Sequence, residues 1–213
     1  MIARDIMLAE SAGARLHIAH ISTARSLELV RSAKERGLRV TCEVTPHHLV
    51  LNEEACETFD TNTKMKPPLR SESDRLACVA ALKNGLIDCI ATDHAPHADF
   101  EKEREFDHAP FGIIGFETAF AVLYENLVLT KQISLANLVD DLSKNPAKVL
   151  NLPGGTLKEG APADLCIIDL KGHTTFDRDS IVSKSKNTPW LDKTLATRVK
   201  YTFMNGKISY QDE

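Results

Sequence analysis

The sequence predicts an α/β protein with a parallel sheet, followed by a smaller β unit. Between residues 16 and 92, short apolar runs typical of strands alternate three times with stretches of helical spacing. Such an order favours parallel strands joined by right-handed crossovers. After a Pro-Gly-Gly stretch at 153–155 the pattern becomes alternating, with an Asn-Gly hairpin turn at 205–206. We therefore expect one domain over 1–152 and a β segment over 153–213.

The individual elements follow from their apolar spacing and from the residues that bound them. Ser22-Thr23 is a typical helix N-cap, and Gly37 is a typical helix end. The polar stretch 171–193 is typical of loop. We expect strands at 16–21, 38–44 and 86–92, and helices at 4–14, 22–36, 71–84, 116–129, 135–142 and 146–150.

The composition excludes several classes of protein. The 213 residues are 43% hydrophobic and 26% charged, which is ordinary for a globular chain. A net charge of −4 without a basic stripe argues against a nucleic-acid partner, and no apolar run is long enough to span a membrane. Five cysteines without CxxC spacing argue against a disulfide framework or a cysteine-based zinc site. We expect a cytoplasmic protein.

Polar side chains follow the first and third predicted strands. The apolar run 86–91 ends in Asp93, with His94 and His97 around a proline. His20 ends the first strand in the same way. Catalytic groups of α/β barrels lie at the carboxyl ends of strands, and histidine with aspartate suits zinc. Two ligands are too few for a zinc site, so on spacing alone a packed histidine and a capping loop explain these residues better.

The second predicted strand ends in Glu43 and, after a Thr-Pro step, in His47 and His48. This cluster also has the composition of a metal site. Adjacent residues on a strand face opposite ways, so the two histidines are not expected to bind one ion. We interpret the pair as loop structure held by hydrogen bonds.

Several motifs in a fixed order carry a family resemblance. The ordered motifs are HIAHIST at 17–23, EVTPHHL at 43–49, PPLR at 67–70, ATDHAPH at 91–97 and GIIGFET at 112–118. Together they resemble dihydroorotases of the bacterial multidomain-like type, in the cyclic amidohydrolase superfamily. A later GAPADL at 160–165 resembles the returning β-sandwich of that superfamily.

The resemblance implies a metal-dependent (β/α)8 barrel beside a small β-sandwich, of which this chain holds strands six to eight and part of the sandwich. The implied reaction is the reversible closure of N-carbamoyl-L-aspartate to L-dihydroorotate in pyrimidine synthesis. His20 matches a zinc ligand, and Asp93 matches a zinc ligand that also carries the proton. His97 matches a substrate contact, while Phe111 and Gly112 match backbone contacts to the pyrimidine ring.

The chain departs from the family pattern in two ways. Lys66 precedes Pro-Pro-Leu-Arg, where the family usually has a substrate-binding asparagine. Lysine donates hydrogen bonds but cannot accept them, so Lys66 either contacts the substrate carboxylate or turns to solvent. The family's H-x-H motif, its bridging ligand and a further histidine belong upstream of residue 1. We therefore expect the C-terminal half of an enzyme, inactive alone.

Two functions other than that of a dihydroorotase are also compatible with parts of the sequence. Another cyclic amidohydrolase, such as a dihydropyrimidinase or an allantoinase, has a similar pattern, but PPLR together with the Asp93–His97 motif favours dihydroorotase. A non-catalytic, dihydroorotase-like subunit that supports aspartate carbamoyltransferase is a further alternative, against which the retained His20, Asp93 and His97 argue. The expected partner is a small-molecule substrate, with a homo-oligomer or that carbamoyltransferase complex left open.

Overall fold

The computed structural model describes residues 1–212 and contains two three-stranded sheets. The first sheet is parallel and has the order β1 (Leu16–Ile18), β2 (Val40–Val44) and β3 (Cys89–Ile90). The predicted parallel sheet is confirmed, although each strand is shorter than its apolar run. The carboxyl ends of all three strands therefore lie at one edge of the sheet.

Helices follow the strands of this sheet, as the pattern predicts. The predicted N-cap at Thr23 is confirmed, because its Oγ1 accepts a hydrogen bond of 3.1 Å from the Ser26 amide. Two short 3-10 turns lie at Glu53–Cys56 and Thr61–Thr63. The helices are α1 (Ile2–Ala12), α2 (Ala24–Glu35), α3 (Pro46–Val50), α4 (Glu72–Lys83), α5 (Asp99–Lys102), α6 (Ala119–Leu123), α7 (Leu135–Val139) and α8 (Asn145–Leu150).

Two helices widen into π turns, which the sequence did not predict. The helix α6 continues as a π turn at Tyr124–Val128, and α7 continues through Asp140–Lys144 into α8. The two helices predicted at 135–142 and 146–150 are thus one helical run. Pro146 has no N–H to donate to Leu142, and the wider turn before it accommodates that gap. Within residues 1–212, none of the helices combines the length and apolar character that a membrane span requires.

The main core lies between the parallel sheet and its helices. Val30 of α2 and Leu82 of α4 are buried against Val44 of β2 and Ile90 of β3. Burying an aliphatic side chain of this size contributes about 1.5–3 kcal/mol, so this core fixes the sheet edge that carries the candidate site.

The second sheet is antiparallel and contains β4 (Leu165–Thr175), β5 (Thr194–Met204) and β6 (Lys207–Gln211). The predicted turn between β5 and β6 is confirmed, with φ of 51° at Asn205 and 74° at Gly206. Positive φ at both central residues is the hallmark of a type I′ hairpin turn.

The stretch between β4 and β5 has no helix or strand, but it is packed rather than free in solvent. Phe176 and Trp190 from this stretch are buried against Ile113 and Ile114, which follow the third parallel strand along the chain. The loop predicted at 171–193 is therefore correct for residues 176–193, whereas its first residues belong to β4. This second core ties the C-terminal part of the chain to the loops of the candidate site.

Candidate active site

His20 and Asp93 lie just beyond the carboxyl ends of β1 and β3. Backbone bonds continue the ladders past the strand ends: the Ile21 amide donates to Glu43 O at 2.8 Å, and the Ala91 amide donates to Val44 O at 3.1 Å. Both predicted metal ligands have positive φ, 39° at His20 and 50° at Asp93. Non-glycine residues rarely adopt this conformation, and it is common at functional sites. The expected placement at one end of the sheet is observed.

The donor atoms at this edge fit a metal ion. His20 Nδ1 is buried and has no hydrogen-bond partner among residues 1–212. A buried polar atom without a partner costs about 1–3 kcal/mol, and such atoms are rare in native proteins. An imidazole nitrogen and the exposed carboxylate of Asp93 are both ligands that zinc takes.

His48 is held by hydrogen bonds at both ring nitrogens. Its Nδ1 lies 2.7 Å from Thr45 Oγ1, and its Nε2 lies 2.9 Å from the carbonyl oxygen of Pro67. A carbonyl only accepts, so Nε2 carries the proton and Nδ1 accepts from the threonine hydroxyl. His48 therefore links the end of β2 to the Pro-Pro segment, and neither nitrogen is left for a metal.

The pKa of His48 is affected by burial and by neighbouring charged groups. Burial lowers the pKa of His48 to about 4, and the hydrogen bond to Pro67 opposes that shift. Smaller influences on the same pKa come from His20, which lowers it, and from Asp93, which raises it. Both predicted ligands thus lie close enough to one buried imidazole to affect its charge.

His47 is a buried neighbour of this group that the sequence analysis did not assign to the site. Its side chain is 2% exposed, and its ring centroid lies 4.6 Å from that of His48. Burial lowers its pKa well below the ordinary value, and the charges of His48 and His20 lower it further. Both histidines lie on α3 and not on a strand, so the argument from alternating strand faces was wrong.

Two loops meet beside Asp93 and bring the predicted substrate contacts together. The Ala95 amide donates to Ile113 O at 2.8 Å, and His97 Nε2 lies 2.9 Å from Phe111 O. Gly112 has φ of 103°, and a Cβ at that position would lie 2.7 Å from the Ala95 Cβ. Only glycine permits this approach.

The bond to Phe111 determines what His97 can do. Because the carbonyl of Phe111 accepts, His97 Nε2 donates, and Nδ1 is the nitrogen left for other partners. Nδ1 lies 3.9 Å from a carboxylate oxygen of Glu101, which is too long for a hydrogen bond. His97 can therefore donate from Nδ1 to a carboxylate ligand when both nitrogens carry protons.

Lys66 lies beside the same loops. Its side chain is exposed, and Nζ lies 5.4 Å from the ring centroid of Phe111. Such a distance is within the range of a cation–π contact. The lysine thus adds positive charge next to the residues predicted to bind substrate.

Two buried lysines hold the charged segment at 99–110, which begins with α5, and the sequence analysis missed both. Lys64 Nζ donates to the carbonyl oxygen of Ala109 at 2.7 Å, and Lys102 Nζ donates to that of Gly112 at 3.2 Å. Burial lowers the pKa of Lys102 to about 8. No sequence spacing distinguishes lysines that donate to backbone carbonyls from lysines on a solvated surface.

A further polar cluster lies on the strands beneath this edge. His17 Nε2 is 3.0 Å from a carboxylate oxygen of Glu43, and His17 Nδ1 is 2.8 Å from Thr41 Oγ1. The Cys89 thiol completes a group whose ligand-type atoms lie within 4.8 Å of one another. Both nitrogens of His17 already have partners, and burial raises the pKa of Cys89 to about 12. The cluster is therefore a hydrogen-bonded part of the sheet interior.

Comparison with known proteins identifies the family. Residues 3–209 match the Amidohydrolase family. The chain belongs to this family. It is 50% identical over 212 residues to a dihydroorotase of Elusimicrobium minutum, covering 100% of this chain and 49% of that protein. It is 51% identical over 211 residues to a dihydroorotase of Carboxydothermus hydrogenoformans, covering 99% and 49%. The resemblance deduced from the ordered motifs is thus confirmed.

Solved structures of a hydantoinase and a dihydropyrimidinase have the same fold over this length. An L-hydantoinase (dihydropyrimidinase) from Arthrobacter aurescens overlaps with a TM-score of 0.92 at 31% identity, covering 99% of this chain and 48% of that one. A dihydropyrimidinase from Brevibacillus agri overlaps with a TM-score of 0.90 at 26% identity, covering 99% and 48%. The chain spans about half the length of the curated relatives it matches. The amidohydrolase α/β fold is confirmed, and the numbering of its strands as six to eight stays a prediction.

Proposed function

We propose that this chain forms the C-terminal half of a zinc-dependent dihydroorotase. The reaction is the reversible closure of N-carbamoyl-L-aspartate to L-dihydroorotate. The observation that carries the proposal is the buried, unpartnered Nδ1 of His20 at the same sheet edge as Asp93, in a chain about half identical to dihydroorotases. The motifs imply the substrate, and the sheet edge supplies the ligand chemistry.

His20 and Asp93 would hold the metal. A bound zinc ion supplies Lewis acidity, which polarises the amide carbonyl and activates water near neutral pH. The left-handed backbone at both residues directs the two side chains from strand ends that are already fixed by the core. Rigid strand ends suit a site whose geometry must be held closely.

Asp93 is the proposed proton carrier. In the hydrolytic direction its carboxylate accepts a proton from the attacking water and returns it to the departing ring nitrogen. In the cyclising direction the same carboxylate takes the proton from the attacking nitrogen and passes it to the hydroxide that leaves the carboxyl carbon as water. Such general acid–base catalysis contributes ~10²–10⁴-fold in rate. Exposure of Asp93 leaves its carboxylate accessible to both proton positions.

Substrate recognition is assigned to the adjoining loops. His97 donates to the substrate carboxylate from Nδ1 while Nε2 stays on Phe111 O. The backbone of Phe111 and Gly112 contacts the pyrimidine ring. Lys66, near Phe111, adds a second positive charge for the carboxylate. An acidic substrate therefore meets hydrogen-bond donors of both His97 and Lys66 near Phe111.

The proposal also covers the domain division, the compartment and the assembly of the protein. Residues 1–152 would form strands six to eight of the barrel with their helices, and residues 153–213 would form part of the β-sandwich. The cytoplasm is the proposed compartment. The substrate is a small molecule, and a homo-oligomer or a complex with aspartate carbamoyltransferase is the proposed assembly.

A second candidate is hydrolysis of a hydantoin or dihydropyrimidine, favoured by the TM-score of 0.92 against an L-hydantoinase. The two candidates differ in charge, because dihydroorotate carries a carboxylate on its ring. The deciding experiment assays the native enzyme with L-dihydroorotate, dihydrouracil and hydantoin, each with and without added zinc. We expect turnover of L-dihydroorotate at least a hundredfold above the others. Preferential turnover of an uncharged ring would overturn the assignment.

A further inference from the structure

Asn187 connects the two loops of the candidate site from a distant part of the chain. Its side chain belongs to the stretch between β4 and β5 and is 3% exposed. Nδ2 donates to the carbonyl oxygens of Ala95 at 2.9 Å and Gly112 at 3.2 Å. Oδ1 accepts from the His97 amide at 3.2 Å. One side chain thus bonds to both loops at once.

The bonding pattern requires the chemistry of an amide. Three bonds use two donor hydrogens and one acceptor oxygen, which asparagine offers at a short reach. Aspartate would place a second acceptor against two carbonyl oxygens, and serine would reach with one hydroxyl. The backbone carbonyl of Asn187 also accepts from the Ile114 amide at 3.0 Å, so main chain and side chain hold the same loop.

The segment that carries Asn187 is itself firmly anchored. The next residue, Thr188, is 1% exposed, and its Oγ1 accepts from the Trp190 amide at 3.3 Å. Trp190 packs against Ile113 and Ile114 in the second core. Asn187 is therefore a fixed point against which the two loops are placed.

We propose that Asn187 is a positioning residue for substrate recognition, setting the separation between the loop at residues 93–97 and the backbone at Phe111 and Gly112. This inference rests on the proposed function. The atoms it bonds belong to His97 and Gly112, or to Ala95, against which Gly112 packs. A displacement of these contacts would weaken substrate binding at the two loops.

The test uses Asn187→Asp and Asn187→Ser in the native, active enzyme. Asn187→Asp keeps the shape and the acceptor for His97 but loses both donors. Asn187→Ser is the milder variant and decides the matter if the aspartate variant does not fold. Thr188→Val is the matched control, because it alters the same buried segment at a hydroxyl that bonds only within that segment.

We expect the KM for L-dihydroorotate to rise about tenfold in both variants while kcat changes less than about threefold. Metal content and the circular dichroism spectrum should match the wild type. Thr188→Val should keep the wild-type KM, whatever it does to the melting temperature. A purely structural role would lower the melting temperature and leave KM where it is.

Two results would overturn the inference. One is a KM within twofold of wild type in the variant that folds. The other is a fall in kcat that tracks loss of metal, with KM unchanged. The proposed function fails separately: if the wild type hydrolyses hydantoin or dihydrouracil but not dihydroorotate, the same variants are compared on that substrate. The positioning role is then tested by the KM of the Asn187 variants for that substrate.

Discussion

Two regions of the molecule are built on opposite principles: the sheet edge with His20 and Asp93, the proposed metal edge, and the loops at 93–97 and 111–112, the proposed recognition loops. At the metal edge, His20 keeps a buried nitrogen without a partner, on a left-handed backbone at a strand end. In the loops, His97 and Gly112 are bonded on several sides, by each other's segments and by Asn187. At the proposed metal edge a nitrogen atom is left free to bind an ion. In the proposed recognition loops the polar groups bond to one another, so the loops form a fixed surface.

The largest test of this contrast is Asp93→Asn. Asparagine tolerates the left-handed backbone, so the fold should persist, but an amide cannot carry the proton. We expect kcat of the native enzyme to fall ~10²–10⁴-fold, with further loss from weaker metal binding. Asp99→Asn, at an exposed carboxylate paired with Arg178, is the matched control and should stay near wild type. Near-wild-type turnover by Asp93→Asn with zinc bound would remove Asp93 from its role.

Acid should destabilise the fold through His48. Its pKa is about 4 in the folded chain against an ordinary 6.5, so the unfolded chain binds more protons between these values. The contribution of His48 to the free energy of unfolding is therefore fully present above pH 6.5 and is lost as the pH falls through 4. The loss is on the order of 3 kcal/mol. Chemical denaturation at a series of pH values measures the loss.

His48→Gln should flatten the stability profile between pH 6.5 and 4. Asp141 acts in the opposite direction, since burial raises its pKa to about 6 and the stability it adds below pH 3.8 is lost as the pH rises through 6. Asp141→Asn should therefore steepen the loss in acid. An unchanged profile in His48→Gln would show that this imidazole is not the titrating group.

Gly112→Ala should damage the recognition loops while sparing the metal edge. The new Cβ would lie 2.7 Å from the Ala95 Cβ at a φ of 103°, so both contact and backbone resist it. We expect about 1–3 kcal/mol of lost stability and a raised KM, with metal content unchanged. Gly37→Ala has a φ of 78° but open space around the new Cβ, so it measures the backbone contribution alone. Equal losses in the two variants would argue against the close approach.

Lys66→Asn should have the smallest effect. Asparagine is the residue that the family resemblance leads one to expect, and Lys66 is exposed. We expect KM to change by less than about threefold, since a single exposed charge contributes little. Lys64→Met, at a buried lysine that donates to two carbonyls, should instead unfold at a clearly lower temperature. Loss of substrate binding in Lys66→Asn would give Lys66 a specific role.

Sequence patterns placed His20 and Asp93 at one edge of the sheet because their signal is local. The residues at 20 and 93 each follow an apolar run, and parallel strands bring run ends together. The histidines at 47 and 48 were interpreted as loop structure, but they lie on a short helix that Thr45 caps. The proposed recognition loops depend on Asn187, which donates to a backbone carbonyl 92 residues away, and on Lys102, which donates to the carbonyl of Gly112. Such bonds have no spacing that a single sequence reveals.

The left-handed backbone at His20 and Asp93 restricts which amino-acid substitutions these two positions tolerate. Valine, isoleucine and threonine are poorly tolerated there whatever their chemistry, because a branched Cβ clashes in that conformation. Glycine and asparagine keep the chain path, so they separate the loss of a ligand from the loss of the turn. A saturation screen at either position therefore combines two effects, the strain of the left-handed backbone and the loss of the proposed metal ligand. Comparison with the asparagine variant separates them.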